Sequence, residues 1–250
     1  MKNPYKKQLR AEGLPYRPIL GESSAKTVKG EKIGYLTAIC YLVPDDKLCP
    51  FAKLAGCFDG CLNTAGRGAF NSTQRARAAK TRFFYDNQRA FMLSLAADVW
   101  SHARRAEKLA LIPLVRPNGT SDIAFENIKL DGKTIFQMFP DVQFYDYTKH
   151  PSRKLDGKTA GNYDLTYSFS ALTPKTISIK GLSNTANQRT AVVFMNRSEI
   201  PESFRGWPVV DGDDTDVRHI EPQQVVVALY AKGKAKADTS GFVQIKGRDY

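Results

Sequence analysis

The sequence predicts an α/β fold in which mostly parallel strands alternate with crossover segments and form a partial or complete (β/α) barrel. Three observations carry this expectation. Six or seven short apolar runs follow one another at intervals of roughly 15–40 residues, too far apart for hairpins. Most are apolar at successive positions, as strands covered on both faces are. Each ends in a polar turn, and the carboxyl ends of such strands are where α/β sheets place their ligands. No Gly-x-Gly-x-x-Gly follows the first run, so a dinucleotide-binding version of the fold is not indicated.

Residues 1–31 are polar, basic and proline-containing, and are expected to form an extended basic arm that wraps the domain or is partly mobile. The α/β domain proper is placed at 32–231. Its first strand is the run from Ile33 to Val43, stopped by Pro44. A cysteine loop follows at 49–68. Asn71, Ser72 and Thr73 can cap a basic helix from Gln74 to about Tyr85. Phe84, Phe91, Leu95 and Val99 then make the apolar stripe of a second helix. Leu109–Val115 is the second strand, and Arg116–Asp122 the polar turn behind it. A short helix near Lys133–Met138 precedes the run Val142–Lys149. Tyr163–Ser170 is the next strand, followed by a weakly helical stretch and Thr190–Asn196. Pro208–Val210 and Gln224–Tyr230 complete the strands. Residues 232–250 are a tail rich in Lys and Gly.

Composition narrows the class. With 250 residues, 42% of them hydrophobic, the chain can bury a sizeable core. No apolar run approaches the roughly 20 residues that span a bilayer, and the first residues lack the apolar segment of a secretory signal, so a cytoplasmic protein is expected. The formal charge of +12 leaves two readings open, a solubilising surface and contact with nucleic acid or another polyanion. The excess is concentrated. Residues 1–32 hold eight Lys and Arg against three Glu, and 66–108 hold nine against three acidic residues. Within the second stretch, Arg67, Arg75, Arg77, Lys80 and Arg82 are the candidate phosphate contacts.

The cysteines are used locally. Cys49, Cys57 and Cys61 fall in one loop, Cys40 lies just upstream, and the rest of the chain has none. Thiolates this close suggest a metal centre more than a disulfide framework. Structural zinc normally takes four ligands in two pairs, and the second pair is missing here. An iron-sulfur cluster tolerates varied spacing, and three cysteines would leave one iron open to a substrate, an exogenous ligand or Cys40. A 4Fe-4S cluster, zinc and no metal all remain open from the spacing. In a barrel, Ser121, Asp122, Tyr145, Asp146, Lys149, Ser168, Ser170, Asn196, Asp211, Asp213 and Asp214 would face the rim that carries the cysteine loop. The acidic run 211–216 lacks the spaced ligands of a calcium loop.

Several ordered motifs carry a resemblance: Cys49-Pro50-Phe51-Ala52, Cys57-x3-Cys61-Leu62, Thr64-Ala65-Gly66-Arg67-Gly68, Asn118-Gly119-Thr120-Ser121-Asp122, Phe144–Lys149 and Asn162-Tyr163-x-Leu165-Thr166-x-Ser168. Together they resemble the gene-product-88-like family of phage and plasmid proteins, from about Gly34 to Phe242. The resemblance implies a mobile-element origin and work in the host cytoplasm during infection. More remotely, the three-cysteine loop after a first strand is similar to that of the radical S-adenosylmethionine enzymes. That similarity implies a 4Fe-4S cluster on Cys49, Cys57 and Cys61 whose open iron holds S-adenosylmethionine. Asn118 to Asp122 would then meet the cofactor's amino group, with Tyr145, Asp146, Lys149, Ser168 and Ser170 around the remainder. The spacing of seven residues between the first two cysteines departs from the pattern of those enzymes, so whether the protein is an enzyme stays open. The alternative is a non-enzymatic nucleic-acid-binding phage protein with a structural cluster.

Overall fold

A computed structural model describes residues 2–21, 25–150, 153, 155, 157–172 and 189–250. The described part of the first 31 residues holds two helices and a short strand, with 14–19 running between them outside regular structure. Helix α1 (Pro4–Ala11) starts where the Asn3 side chain accepts the N–H groups of Tyr5 and Lys6, with Pro4 in the first turn. Its one fully buried residue, Leu9, belongs to the main core. Strand β1 (Leu20–Gly21) pairs antiparallel with β2 (Tyr35–Cys40), and α2 (Ala25–Glu31) lies between them in sequence and packs on β2.

After the cysteine loop come α3 (Asn71–Asp86) and α4 (Gln88–Lys108). The cap of α4 is Asn87, whose side chain accepts the Ala90 N–H. The expected stripe of α4 is buried, with Phe91, Leu95 and Val99 fully inaccessible and packed with residues of β2 and β3 (Ile112–Arg116). A short α5 (Ile135–Met138) carries a reciprocal cap between Thr134 and Gln137. Strands β4 (Gln143–Thr148), β5 (Tyr163–Ser168), β6 (Thr190–Phe194), β7 (Ser203–Phe204), β8 (Trp207–Asp211), β9 (Val226–Tyr230) and β10 (Val243–Gln244) complete the set. The weakly helical stretch expected before Thr190 lies outside the described residues.

These strands form one ten-stranded mixed sheet in the order β1-β2-β3-β4-β5-β6-β9-β8-β7. From β2 to β8 every neighbouring pair is parallel, as the apolar runs required, and antiparallel pairs occur only at the two edges, β1 with β2 and β7 with β8. The α/β class stands, and the complete, closed form of the expected barrel is corrected. Among the described residues β1 and β7 do not pair, so the sheet is open, and its short antiparallel edge strands occupy the positions where closure would need parallel partners.

One join in the sheet is irregular. Strand β5 pairs with β6 only at Tyr167–Thr190 and Ser168–Ala191, then diverges. Its place beside the second half of β6 is taken by β10, through Val243–Val193 and Gln244–Phe194. Ala171 donates to the Gly241 carbonyl, linking the chain beyond β5 to the segment that enters the gap. The Lys- and Gly-rich tail is therefore partly built into the sheet. Apolar side chains are buried on both faces: Phe144 and Val115 pack towards α4, while Leu114 and Tyr145 pack under Val217.

Candidate functional site

The carboxyl ends of the parallel strands surround a cavity of about 240 Å³. One wall is made by the turn after β3 and the end of β4, with Arg116, Asn118, Asp122 and Lys149. The facing wall is the cysteine loop together with the segment 229–242, including Cys57, Phe58, Leu62, Lys232 and Phe242.

The first wall is held by a buried polar network. Asp146, fully inaccessible, accepts from the Asn118 backbone N–H, from Asn118 Nδ2 and from the Tyr163 hydroxyl, each at 2.9 Å. Asn118 also donates to the Ile123 carbonyl and accepts from Ser121 Oγ and the Ile123 N–H, which closes the turn on itself. Arg153 reaches in from beyond β4 and pairs with Asp122 at 2.8 Å and with Glu126 at 2.7 Å. Asp122 further accepts from Thr148 Oγ1 and the Lys149 N–H. Burial pushes the Asp146 carboxyl up to about 6, opposed by the positive charges of Arg116 and Arg153, and raises Asp122 as well.

The second wall is a run of tight turns. Asp45 starts it by accepting the N–H groups of Lys47 and Leu48. Ser170 Oγ donates to the Ala55 carbonyl and ties the loop to the chain after β5. Gly56 stands at a φ of +67°, where a side chain would press on Ser240 and Leu172. The Cys49 thiol faces the Thr120 carbonyl at 3.9 Å, and Cys61 Sγ accepts the Asn63 N–H at 3.4 Å. Burial pushes all three loop thiols above the ordinary range, and their mutual repulsion as thiolates adds to this for Cys49 and Cys57. Lys149 pulls Cys57 partly back, and Arg77 does the same for Cys61.

This geometry corrects the iron-sulfur and metal-binding readings. Cys49, Cys57 and Cys61 line one cavity, yet among the described residues no group of three or more His, Cys, Asp or Glu side chains is placed to hold a metal ion. Two of the thiols also pack against different clusters. Cys49 packs against the main core, and Cys57 against the small cluster of Ala231, Ala235, Phe242 and Val243. Among the described residues the donor set is not arranged as a metal site. Cys40 is fully buried in β2 and is pushed up to about 12 by burial.

Of the strand-end residues expected at the site, Asn118, Ser121, Asp122, Lys149 and Ser168 line the cavity, as does Asp213. Tyr145, Asp146 and Ser170 lie behind its surface in structural hydrogen bonds, Tyr145 donating to Asp216 at 2.7 Å. Asp211 and Asp214 pair with Arg197 instead, and Asn196 donates to Glu199. Sequence reasoning missed Arg116, Tyr147, Lys232 and Phe242. Arg116 carried a usable signal, since it directly ends a strand, whereas Phe242 reaches the site only through the late entry of β10.

The expected phosphate contacts divide. Arg77 is buried, donating to the backbone and side-chain oxygens of Asn63 and lying 4.7 Å from the Tyr41 ring centre. Lys80 donates to the Ile19 carbonyl. Arg67, Arg75 and Arg82 are exposed, and none has a carboxylate partner among the described residues. Exposed Phe70 lies beside them in sequence.

A family model described as gene product 88 matches residues 18–246. The chain belongs to the gene product 88 family. The match takes in both cavity walls of this gene product 88 protein, from the cysteine loop to β10. No curated protein and no solved structure matches the chain. The remoter similarity to radical S-adenosylmethionine enzymes finds no support in the open sheet or in the family match. Among the described residues, no helix is long and apolar enough to cross a membrane.

Proposed function

We propose that this gene product 88 protein binds a small organic molecule, with a polar head and an apolar body, in the cavity at the carboxyl ends of its strands. The observation that carries this reading is the contrast between the facing walls. The strand-end wall offers fixed polar groups, among them Arg116, Ser121 and Lys149, while the loop wall offers Phe58, Leu62, Phe242 and protonated thiols. A concave, mostly apolar site with a few fixed polar groups is the usual form of a small-molecule site, and the switch from strands to loops at this rim is its usual place. The test is a thermal-shift screen of small carboxylates, amines and aromatic alcohols on the intact protein and on Ser168→Trp, which fills the cavity. Compounds that stabilise the protein but not the variant support the reading. Stabilisation of both alike, or of neither, counts against it.

A second reading rests on a separate surface. From Cys61 to Tyr85 the chain has five Lys or Arg and no Asp or Glu. The exposed Arg67, Arg75 and Arg82 fit contact with a nucleic-acid backbone, and Phe70 could stack on an unpaired base. Anisotropy with single- and double-stranded oligonucleotides at rising salt tests it. Binding that is insensitive to salt, or unchanged in the triple Ala variant of these arginines, removes this reading.

A further inference from the structure

We propose that Lys149 is a covalent site for carbonyl compounds, its amine forming an imine with an aldehyde or ketone whose apolar body occupies the cavity. This rests on the small-molecule reading of the cavity. Lys149 directly follows β4 at the carboxyl rim and lines the cavity, with only 9% of its surface exposed. Its ammonium is not paired with a carboxylate among the described residues. Nζ donates one hydrogen bond, 2.9 Å to the Phe169 carbonyl, and lies 4.4 Å from the centre of the Phe242 ring. An ammonium has three donors, so two remain for a bound group.

The titratable neighbours that act on the amine are Cys57, from the loop wall, and Asp122, from the turn after β3. Asp122 is already engaged by Arg153, by Thr148 and by the Lys149 backbone N–H, so it does not neutralise Nζ fully. Desolvation outweighs both and lowers the amine to about 8, which leaves an appreciable fraction as free base near neutral pH. A desolvated lysine beside an aromatic ring, facing a cavity, is the arrangement that makes an amine a nucleophile.

The chemistry balances without an oxidant or reductant. The free amine adds to the carbonyl carbon, forming the C–N bond. The carbonyl oxygen then leaves as water with the two hydrogens of the amine, and the C=N bond replaces C=O. Phe58, Leu62, Val193 and Phe242 favour an apolar substituent on the carbonyl.

The test uses the intact protein with benzaldehyde and cyanoborohydride near pH 7.5, read by intact mass and peptide mapping. One benzyl group at Lys149, added at least about tenfold faster than at any other lysine, is expected from the lowered amine pKa. Benzyl alcohol, which fills the cavity but forms no imine, should slow this labelling, and Lys149→Arg should lose it. Thermal stabilisation by benzyl alcohol is measured in parallel. If benzyl alcohol stabilises the protein but benzyl groups scatter over surface lysines, the imine proposal is overturned and the cavity reading stands. If there is neither stabilisation nor selective labelling, both are overturned.

Discussion

The two walls of the cavity are built on opposite principles. The strand-end wall is over-determined: Asp146, Asn118, Asp122 and Arg153 are buried, and each makes several hydrogen bonds or ion pairs to the others or to nearby backbone. The loop wall has turns, apolar contacts and a few ties such as Ser170 to Ala55. The difference teaches that the polar residues here fix geometry first, and that contact area for a ligand comes from the less constrained side. Buried polar networks are costly when incomplete, so the strand-end wall should tolerate far less change.

The largest expected effect tests that claim directly. Arg153→Ala leaves Asp122 and Glu126 without their cation and should cost about 3–5 kcal/mol in denaturant unfolding. A cost below about 1 kcal/mol would show the network to be dispensable.

The next effect is one of pH. The Lys149 amine is lowered by burial from 10.5 to about 8, so above pH 8 the unfolded chain binds more protons than the folded one. Its contribution is fully present above about 10.5 and is lost as pH falls through about 8. Relative to Lys149→Met, the native protein should therefore gain stability, by up to about 3 kcal/mol, between pH 8 and 10.5. A flat difference over that window would mean that the amine is not desolvated.

Two glycines compare the walls under matched chemistry. A Cβ at Gly119 would stand 2.7 Å from the Cys40 carbonyl oxygen, a backbone atom that cannot step aside, so Gly119→Ala should cost about 1–3 kcal/mol. At Gly56 the obstacles are side-chain atoms of Ser240 and Leu172 rather than backbone, so the cost is the strain of a positive φ and the hydrogen bonds of Ser240 Oγ, about 1 kcal/mol. Equal costs would erase the distinction between a rigid and a yielding wall. Smallest in energy is Cys57→Ser, within about 1 kcal/mol, because the thiol is only partly buried and serine keeps its shape. Thiol titration gives the sharper readout: the three loop thiols should react slowly at pH 7 and faster as pH rises, and Cys40 only on unfolding.

Much of the sheet was legible because parallel strands buried on both faces leave continuous apolar runs, as at Tyr35–Cys40 and Val226–Tyr230. Helix α4 was legible from its stripe. Helix α1 was not, since Pro4–Ala11 has a single buried anchor, Leu9, in an otherwise polar sequence. The two-residue strands β1, β7 and β10 have no period to detect, and openness of the sheet depends on the edge strands β1 and β7. At the site, spacing brought the three cysteines to one loop correctly but carried no information on which way each thiol points. Among the described residues they are not grouped as metal ligands, and that overturned the metal centre.

The insertion of β10 between β5 and β6 also sets an order of events. In chain order β10 follows the other nine strands, and Phe242 beside it forms part of the cavity lining. As a chain emerges from the ribosome, β2 to β9 can pair before Val243 and Gln244 exist, so the sheet precedes its binding site. A ligand that touches Phe242 would therefore be taken up only once β10 has joined the sheet, and occupancy would report that this strand is in place.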